Sequence, residues 1–256
     1  MTDAVLAASG LAVTIAGRRV CVDLDFSVGR GECWAILGRN GAGKTTLLNT
    51  LAGLRAPETG TLEILGRPLA GLPRRELARL RGVLPQDDSD PFPATVMETV
   101  LIGRHPHLSR WTWEGREDIA LARAALSAAD MAGTDGREVA TLSGGERRRV
   151  ALATLLAQDP QLFLLDEPAS HLDLAHQLAV LDRLVQRVRG EARALVMVVH
   201  DVNLALRYCD HALLLAGGNA VAGTAADLLT PEHLSRLYGV RLQALSTPRG
   251  PVLAPE

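Results

Sequence analysis

The segment that most constrains this chain is "GRNGAGKTT", which runs from Gly38 to Thr46. Gly38, Gly43, Lys44 and Thr45 fit the spacing G-x-x-x-x-G-K-[ST] of a phosphate-binding loop. Glycines allow a tight turn that points backbone N–H groups at phosphate oxygens, and the helix that follows adds its positive N-terminal end. The pattern therefore predicts that nucleotide phosphates contact Gly38, Arg39, Asn40, Gly41, Ala42, Gly43, Lys44, Thr45 and Thr46.

Lys44 is the only lysine among the 27 basic side chains of the protein. A preference for arginine is typical of a GC-rich genome and explains the missing lysines, but it does not explain the one that is retained. A lysine reaches the β- and γ-phosphates as a slim point charge with three donors, whereas a planar guanidinium would not fit the same slot. We therefore expect Lys44 to contact bound phosphate.

Composition limits the classes of protein to consider. A length of 256 residues with 47% hydrophobic side chains suits one large domain or two modest lobes. The net charge of −2 gives no overall basic field for nucleic acid, and we expect the run Arg147–Arg149 to form a solvated helix face. Three cysteines without paired spacing favour a reduced, cytosolic protein. No signal peptide is visible, and no apolar run approaches the ~18 residues of a membrane span.

Short apolar runs and helical periodicities alternate along the chain. They predict strands at 11–15, 21–28, 33–37, 60–66, 82–85, 162–165 and 194–199. They predict helices directly after the phosphate loop and at 73–81, 95–103, 116–131 and 146–158. The order indicates an α/β nucleotide-binding core that is interrupted by a helical insert. Residues 245–256 are expected to form a loose tail.

The segment "LFLLDEP" places Asp166 and Glu167 where a buried strand is predicted to end. Ligands of α/β sheets bind outside the carboxyl ends of the strands. Asp166 could hold Mg²⁺ through its water shell, opposite the hydroxyl of Thr45, and Glu167 could act as a general base on water. The alternative is an ordinary acidic turn, but a phosphate loop in the same chain favours the functional interpretation.

The segment "LSGGERRR" begins at Leu142 and contains a predicted helix start. Ser143 and Glu146 have the spacing of a capping box. A plain helix start does not explain the two adjacent glycines, Gly144 and Gly145, which cost helix stability. Exposed N–H groups at such a helix start predict a second anion-binding surface.

The phosphate loop, "LSGGE" and "LLDEP" occur in the order that resembles the ATP-binding cassette (ABC) family. Gln86 matches the glutamine loop of that family, Asp173 in "SHLD" its aspartate loop, and His200 its switch histidine. The resemblance covers about residues 10–240. It implies an α/β P-loop NTPase of the ABC ATPase type, with an N-terminal antiparallel β subdomain and an inserted α-helical subdomain. The expected division is one domain over 1–240, with core 1–90 and 159–240, helical subdomain about 91–158, and a short tail over 241–256.

The resemblance also implies a mechanism in which two copies close head to tail around two ATP molecules. Each ATP would lie between Lys44 of one copy and Ser143, Gly144 and Gly145 of the other. The remaining roles that it implies are γ-phosphate sensing by Gln86 and His200, Mg²⁺ binding by Thr45, Gln86 and Asp166, hydrolysis driven by Glu167, and communication across the dimer by Asp173.

Two further segments, 95–113 and 229–239, resemble the ATP-binding subunits of iron-chelate, haem and cobalamin importers. Within this group, cobalamin is the expected cargo. The resemblance implies integral membrane permease subunits, a periplasmic or extracellular substrate-binding protein acting indirectly, no nucleic acid, and a peripheral place on the cytoplasmic face of the inner membrane. The alternative is a soluble cassette ATPase acting on nucleic acid or ribosomes. Such proteins carry a coiled-coil insert, zinc-binding cysteines or tandem cassettes, which this sequence lacks.

Aromatic residues leave two questions open. Trp111 and Trp113 either face a partner or are buried in the helical subdomain. Family members often stack an aromatic residue on adenine at a position near Ile15 or Ala16, but this chain has no aromatic residue before Phe26. Either a guanidinium of Arg18 or Arg19 stacks on the base, or base selectivity is weak.

Overall fold

The computed structural model describes residues 4–86, 93–109, 112–170, 172–248 and 250–256. The chain divides into two compact units. The first unit comprises Met1–Leu72 and Arg187–Glu256, and the second comprises Pro73–Gln186. Within the described ranges, no helix combines the length and the apolar character that crossing a membrane requires.

The secondary structure follows the predicted alternation of strands and helices. In chain order the elements are β1 (Ala4–Ile15), β2 (Arg18–Gly29), β3 (Cys33–Gly38), α1 (Lys44–Leu51), β4 (Thr59–Ile64), β5 (Arg67–Pro68), α2 (Arg74–Leu80), β6 (Arg81–Leu84), α3 (Val96–Leu101), α4 (Arg116–Ala128), α5 (Gly144–Gln158), β7 (Leu162–Asp166), α6 (Leu174–Gly190), β8 (Ala194–Val198), α7 (Val202–Tyr208), β9 (His211–Ala216), β10 (Asn219–Thr224), α8 (Ala225–Leu228), α9 (Pro231–Tyr238), β11 (Leu242–Thr247) and β12 (Gly250–Pro255).

The first unit contains an antiparallel sheet with the strand order β2-β1-β4-β5. Its first strand is longer than the predicted 11–15, because β1 begins at Ala4. Residues 5, 6 and 8, which precede the predicted strand, are also buried. The antiparallel sheet therefore buries apolar side chains over a longer stretch than the sequence predicted. This sheet is the N-terminal antiparallel β element that the family resemblance implies.

A second set of strands in the first unit carries the phosphate loop. Strand β3 lies between β8 and β9 and is parallel to both, while β10 pairs antiparallel with β9. Every residue of β3 and of β8 is buried, as expected for parallel strands that are covered on both faces. The continuous apolar runs "CWAIL" and "ALVMV" therefore form the core beneath the candidate site.

The second unit is largely helical. Helices α3, α4 and α5 pack on one another. The same unit contains the strands β6 and β7, which pair in parallel. Helix α3 begins with a capping box, in which Thr95 N donates to Glu98 at 2.7 Å and Glu98 N donates to the Thr95 hydroxyl at 3.3 Å. The predicted helices 95–103, 116–131 and 146–158 are confirmed, although each α-helix has slightly different bounds.

The expectation of a loose tail is wrong. Strands β11 and β12 form an antiparallel hairpin in which Leu253 is buried. The Asn203 side chain on α7 accepts from Leu253 N at 2.8 Å and donates to its carbonyl at 3.1 Å. The pairing of the two strands and this contact with α7 give the described residues of the segment a fixed structure.

Candidate nucleotide-binding and hydrolysis site

The phosphate loop connects β3 to α1 and depends on left-handed backbone at two glycines. Gly41 has φ +77° and Gly43 has φ +95°, a region that favours glycine. A Cβ on Gly43 would lie 2.5 Å from Cγ2 of Val20, so β2 packs directly against the loop. Ala42 N donates to the carbonyl of Arg39 at 3.1 Å and closes the turn. Val20 was not identified from the sequence, because it lies 23 positions before the glycine that it contacts.

Lys44 lies inside the loop that precedes it. Its side chain is buried, and Nζ donates to the carbonyl of Gly38 at 3.0 Å and to that of Arg39 at 3.3 Å. A slim ammonium can reach both carbonyls from within the turn, whereas a guanidinium is broader and planar. The geometry thus supports the shape argument for the single lysine.

The start of α1 is suited to bind an anion. Its N-cap is Gly43, which has no side chain to cap the first N–H groups of the helix. Thr45 is exposed in this first turn, while Thr46 is buried and its carbonyl accepts from the Thr50 hydroxyl at 2.8 Å. The two threonines therefore differ: Thr45 is available to a ligand, and Thr46 belongs to the core of the helix.

His200 and the phosphate loop share one edge of the first unit's parallel strands. Ile36 of β3 is in register with Val198 of β8, so the carboxyl ends of the two strands lie side by side. The loop leaves from β3, and His200 lies exposed two residues beyond β8. Asp201 then caps α7 by accepting from Asn203 N at 2.8 Å.

Tyr238 also lies near the loop and was missed at the level of sequence. Its hydroxyl is buried near the backbone of Gly38. Burial raises the pKa of Tyr238 to about 12, while the Gly38 backbone acts in the opposite direction. Helix α9, which ends at Tyr238, therefore places a side chain near Gly38.

The acidic residues lie at the carboxyl end of a parallel strand in the second unit. Leu84 of β6 is in register with Leu165 of β7, so Gln86 and the pair Asp166–Glu167 follow neighbouring strand ends. Asp166 is 1% exposed, and Gln86 is exposed. Glu167 has φ +50°, a strained value for a residue with a side chain.

The turn after Glu167 closes when Ser170 N donates to the Glu167 carbonyl at 3.0 Å. The structure thus places an acidic turn after the buried strand, as both interpretations of the sequence required. The buried carboxylate and the strained residue distinguish it from an ordinary surface turn.

The predicted capping box at the start of α5 is confirmed. The Ser143 hydroxyl accepts from Glu146 N at 3.2 Å, and Ser143 N donates to the Glu146 carboxylate at 2.8 Å. Arg137 donates to the same carboxylate at 2.7 Å. The hydrogen bonds from Ser143 N, from Arg137 and from the Ser143 hydroxyl lower the pKa of Glu146 to about 2.

Ser143 and Gly144 are exposed at this helix start, and Gly145 is partly buried. A Cβ on Gly144 would meet nothing within 4 Å among the described residues. Internal packing therefore gives no reason for glycine at 144, whereas close approach of a second molecule would.

The arginine run that follows is not a uniform solvated face. Arg147 is exposed and Arg149 is partly buried, but Arg148 is 3% exposed. The expectation of a solvated face is therefore wrong for Arg148, because helical geometry turns adjacent side chains by about 100° and sends this one inward.

Asp173 lies directly before α6 and is largely exposed. It accepts from His176 N at 2.9 Å and contacts His176 Nδ1 at 2.8 Å. The hydrogen bonds from the His176 backbone and ring lower the pKa of Asp173. The contacts are those of a helix N-cap, so Asp173 has a local structural role besides the one implied by the resemblance.

The two open questions on aromatic residues have partial answers. Trp113 is 89% exposed, which excludes burial for this residue, while Trp111 lies outside the described residues. Ile15 is 39% exposed, and Arg18 and Arg19 are both exposed on β2. An arginine is thus available at the surface where the aromatic residue is missing.

The chain is similar to known proteins over most of its length. The family model described as ABC transporter matches residues 21–170. The chain is 43% identical over 254 residues to the hemin import ATP-binding protein HmuV of Burkholderia ambifaria, with 91% of this chain and 93% of the relative covered. It is 42% identical to HmuV of Gloeobacter violaceus, with 95% and 90% covered.

A solved structure has the same fold over almost the whole chain. It is described as an inward-facing conformation of a metal-chelate type ABC transporter, and its matched chain has a TM-score of 0.87 at 29% identity, with 99% of this chain and 98% of that chain covered. The similarity therefore includes the phosphate loop, the strand ends, the helix start at Ser143 and the C-terminal hairpin.

Proposed function

Because the chain belongs to the ABC transporter family, whose ATP-binding subunits hydrolyse ATP to drive transport, we propose that it powers import of a metal chelate through a separate membrane permease. The observation that carries the proposal is the similarity, over 91% of the chain, to a hemin import ATP-binding protein. The phosphate loop and the buried acidic strand end supply the chemistry that such a subunit needs.

Haem is the cargo that we propose within this class. The two relatives described above are hemin import proteins, and the similar solved structure is of metal-chelate type. These similarities favour haem over cobalamin. The cargo passes through the permease, so its selectivity resides in other subunits, and this chain recognises ATP.

The roles that we propose for the site residues are supported by the local geometry. Lys44 binds the β- and γ-phosphates from within its loop, and the N–H groups of residues 41–46 surround them. Glu167 is the general base that takes a proton from the attacking water. His200 and Gln86, each at the end of a parallel strand, sense the γ-phosphate.

Mg²⁺ fits the donors that the chain offers. Thr45, Gln86 and Asp166 supply hydroxyl, amide and carboxylate oxygens, which are the hard ligands that this ion prefers. When bound, the ion neutralises charge on the phosphate oxygens. Asp166 is suited to this role because its carboxylate is buried at a strand end.

We further propose a homodimer in which Ser143, Gly144 and Gly145 of one copy contact ATP bound to the other, with Asp173 communicating across the dimer. The support is the exposed helix start, with a glycine at 144 that internal packing does not require. The dimer would act at the cytoplasmic face of the membrane, bound to its permease.

Glu167→Gln tests the assignment of the general base. ATP binding should be retained, and turnover should fall by ~10²–10⁴-fold because the amide cannot accept the proton. The variant should also accumulate as an ATP-bound dimer in size-exclusion chromatography. Glu117→Gln, the same change on an exposed turn of α4, is the matched control and should keep parental turnover. Parental turnover in the Glu167 variant would refute the assignment.

Transport and its cargo are tested by isolating the tagged chain from detergent-solubilised membranes. We expect an integral membrane protein to co-purify, and we expect the complex in vesicles to take up haem with ATP. Uptake of cobalamin but not haem would overturn the cargo. Co-purification with ribosomes or nucleic acid, without a membrane protein, would favour the soluble ATPase alternative.

A further inference from the structure

Arg148 is a buried arginine that the mechanism above does not use. It lies on the second turn of α5, five residues after Ser143, and is 3% exposed. Burying a guanidinium is costly unless its N–H groups are hydrogen-bonded. Its partners therefore indicate what this position contributes.

Among the described residues, the guanidinium donates to backbone carbonyls at the ends of two strands. Nη1 donates to Pro85 O at 2.5 Å, and Nη2 donates to Asp166 O at 2.6 Å and to Glu167 O at 2.9 Å. Pro85 directly precedes Gln86. One side chain thus contacts the backbone that leads to the glutamine loop and the backbone of both acidic residues.

The contact with Glu167 falls on a strained residue. Its φ of +50° is in the left-handed region, which is unfavourable for a residue with a side chain. Such a conformation persists only where the surroundings hold it. Besides the bond from Ser170 N, the Arg148 guanidinium holds the Glu167 carbonyl on one side of the strained residue and the Asp166 carbonyl on the other.

We propose that Arg148 is a positioning residue for hydrolysis, which fixes the backbone of Glu167 and connects it to helix α5 and to the start of the glutamine loop. The proposal rests on the assignment of Glu167 as the general base. Because Ser143 caps the helix that carries Arg148, a displacement of the helix N-terminus by nucleotide reaches Glu167 through these hydrogen bonds.

An arginine is required because the carbonyl acceptors lie in two separate segments. Its planar fork presents donors in fixed directions, so both segments are contacted by one group. A lysine in its place keeps the charge but concentrates its donors at one point. Arg148→Lys is therefore the informative substitution.

The first test compares Arg148→Lys and Arg148→Gln with Arg104→Lys. Arg104 is a partly buried arginine of the same unit, which donates to Asp118 at 3.0 Å and to Ala157 O at 2.9 Å rather than to either loop. The Arg148 variants should lose ~10–10²-fold in kcat, since small misplacements of a catalytic group have that effect, with the Kd for ATP within about twofold. Arg104→Lys should lower the melting temperature while its kcat stays within about twofold.

The second test measures hydrogen exchange of the amides at 166–170. The Arg148 variants should exchange faster there than the parent, and Arg104→Lys should not. Unchanged exchange, or a kcat loss no larger than that of the Arg104 control, would overturn the positioning role. Failure of both Arg148 variants to fold would assign the residue to overall stability and would overturn it as well.

A third measurement separates this proposal from the assignment of Glu167. In the Glu167→Gln background, Arg148→Lys should lower the residual turnover by less than about twofold, because the group that it positions has already been removed. Losses that simply multiply would refute action through Glu167. Parental turnover of Glu167→Gln alone would refute the general base, whereas the exchange result would still decide whether Arg148 orders this backbone.

Discussion

Gly43→Ala tests how the phosphate loop is built. The alanine would carry two separate costs. The first is conformational, because φ at this position is +95°, and the left-handed region costs a residue with a Cβ ~1–2 kcal/mol. The second is steric, because the new Cβ would lie 2.5 Å from Cγ2 and 2.8 Å from Cγ1 of Val20, well inside the ~3.5–4.0 Å of normal carbon contacts.

The magnitudes can be separated within the same loop. Overpacking of a buried site costs ~1–3 kcal/mol, so Gly43→Ala should lower the free energy of unfolding by about 2–5 kcal/mol in total. Gly41 also has positive φ, at +77°, but a Cβ there would meet nothing within 4 Å among the described residues. Gly41→Ala is therefore the matched control and should cost only the conformational part, ~1–2 kcal/mol.

Val20→Ala provides the double-mutant cycle. Alone it removes two buried methyl groups and should cost about 1.6 kcal/mol at ~0.8 kcal/mol each. Combined with Gly43→Ala it also removes the overlap, so the double variant should be more stable than the sum of the single changes predicts by ~1–3 kcal/mol. Combined with Gly41→Ala it should show no such coupling.

The assays are urea denaturation for stability and titration of a fluorescent ATP analogue for binding. Because Gly43 directly precedes Lys44, distortion of the loop should weaken nucleotide binding at least about tenfold, or ~1.4 kcal/mol. Parental stability and affinity in Gly43→Ala would refute the reasoning. Equal effects at Gly41 and Gly43, with no coupling to Val20, would show that the contact with β2 has no energetic role.

Three further predictions concern single side chains. Lys44→Arg should lower the kcat/KM for ATP to within about tenfold of the value for Lys44→Ala, because the buried Lys44 ammonium fits a slot that is too narrow for a guanidinium. Steady-state turnover measures this. A fully active arginine variant would contradict it. For Glu146 the pKa is lowered from 4.5 to about 2, so its contribution to stability is present above about pH 4.5 and is lost as the pH falls towards 2. Urea midpoints at about pH 5 and pH 3 should therefore differ less in Glu146→Gln than in the parent; an equal difference would show that this carboxylate is not linked to folding. For Tyr238 the pKa is raised from 10 to about 12, so the folded state retains the proton longer and stability is lost as the pH rises from about 10 through 12. Tyr238→Phe should lose less stability than the parent between about pH 9 and pH 11.5 in the same assay, and identical losses would exclude a buried hydroxyl.

The sequence by itself determined the local features of the site. The phosphate loop, the capping box at Ser143 and the acidic residues after "LFLL" each depend on residues within a few positions of one another. Their backbone conformations follow from glycine at 41 and 43, from the reach of a serine hydroxyl to an N–H three residues on, and from a fully apolar strand. The sequence also placed Asp166 and Glu167 at the end of an apolar strand, where ligands of α/β sheets bind, but the parallel pairing of β6 with β7 and of β3 with β8 was not predicted from it.

Only the tertiary structure decided the contacts between distant segments. Arg148 and the residues on either side of it are all arginines, yet only Arg148 of the three is buried. It donates to the carbonyl of a residue 63 positions earlier in the chain. Val20 against Gly43, Tyr238 near Gly38 and Leu253 on Asn203 are further contacts of this kind. Periodicity records which side of an element is apolar, but not which element packs on it. The partners of a buried polar group depend on how strands and helices far apart in the chain pack together, and no local pattern of residues specifies that.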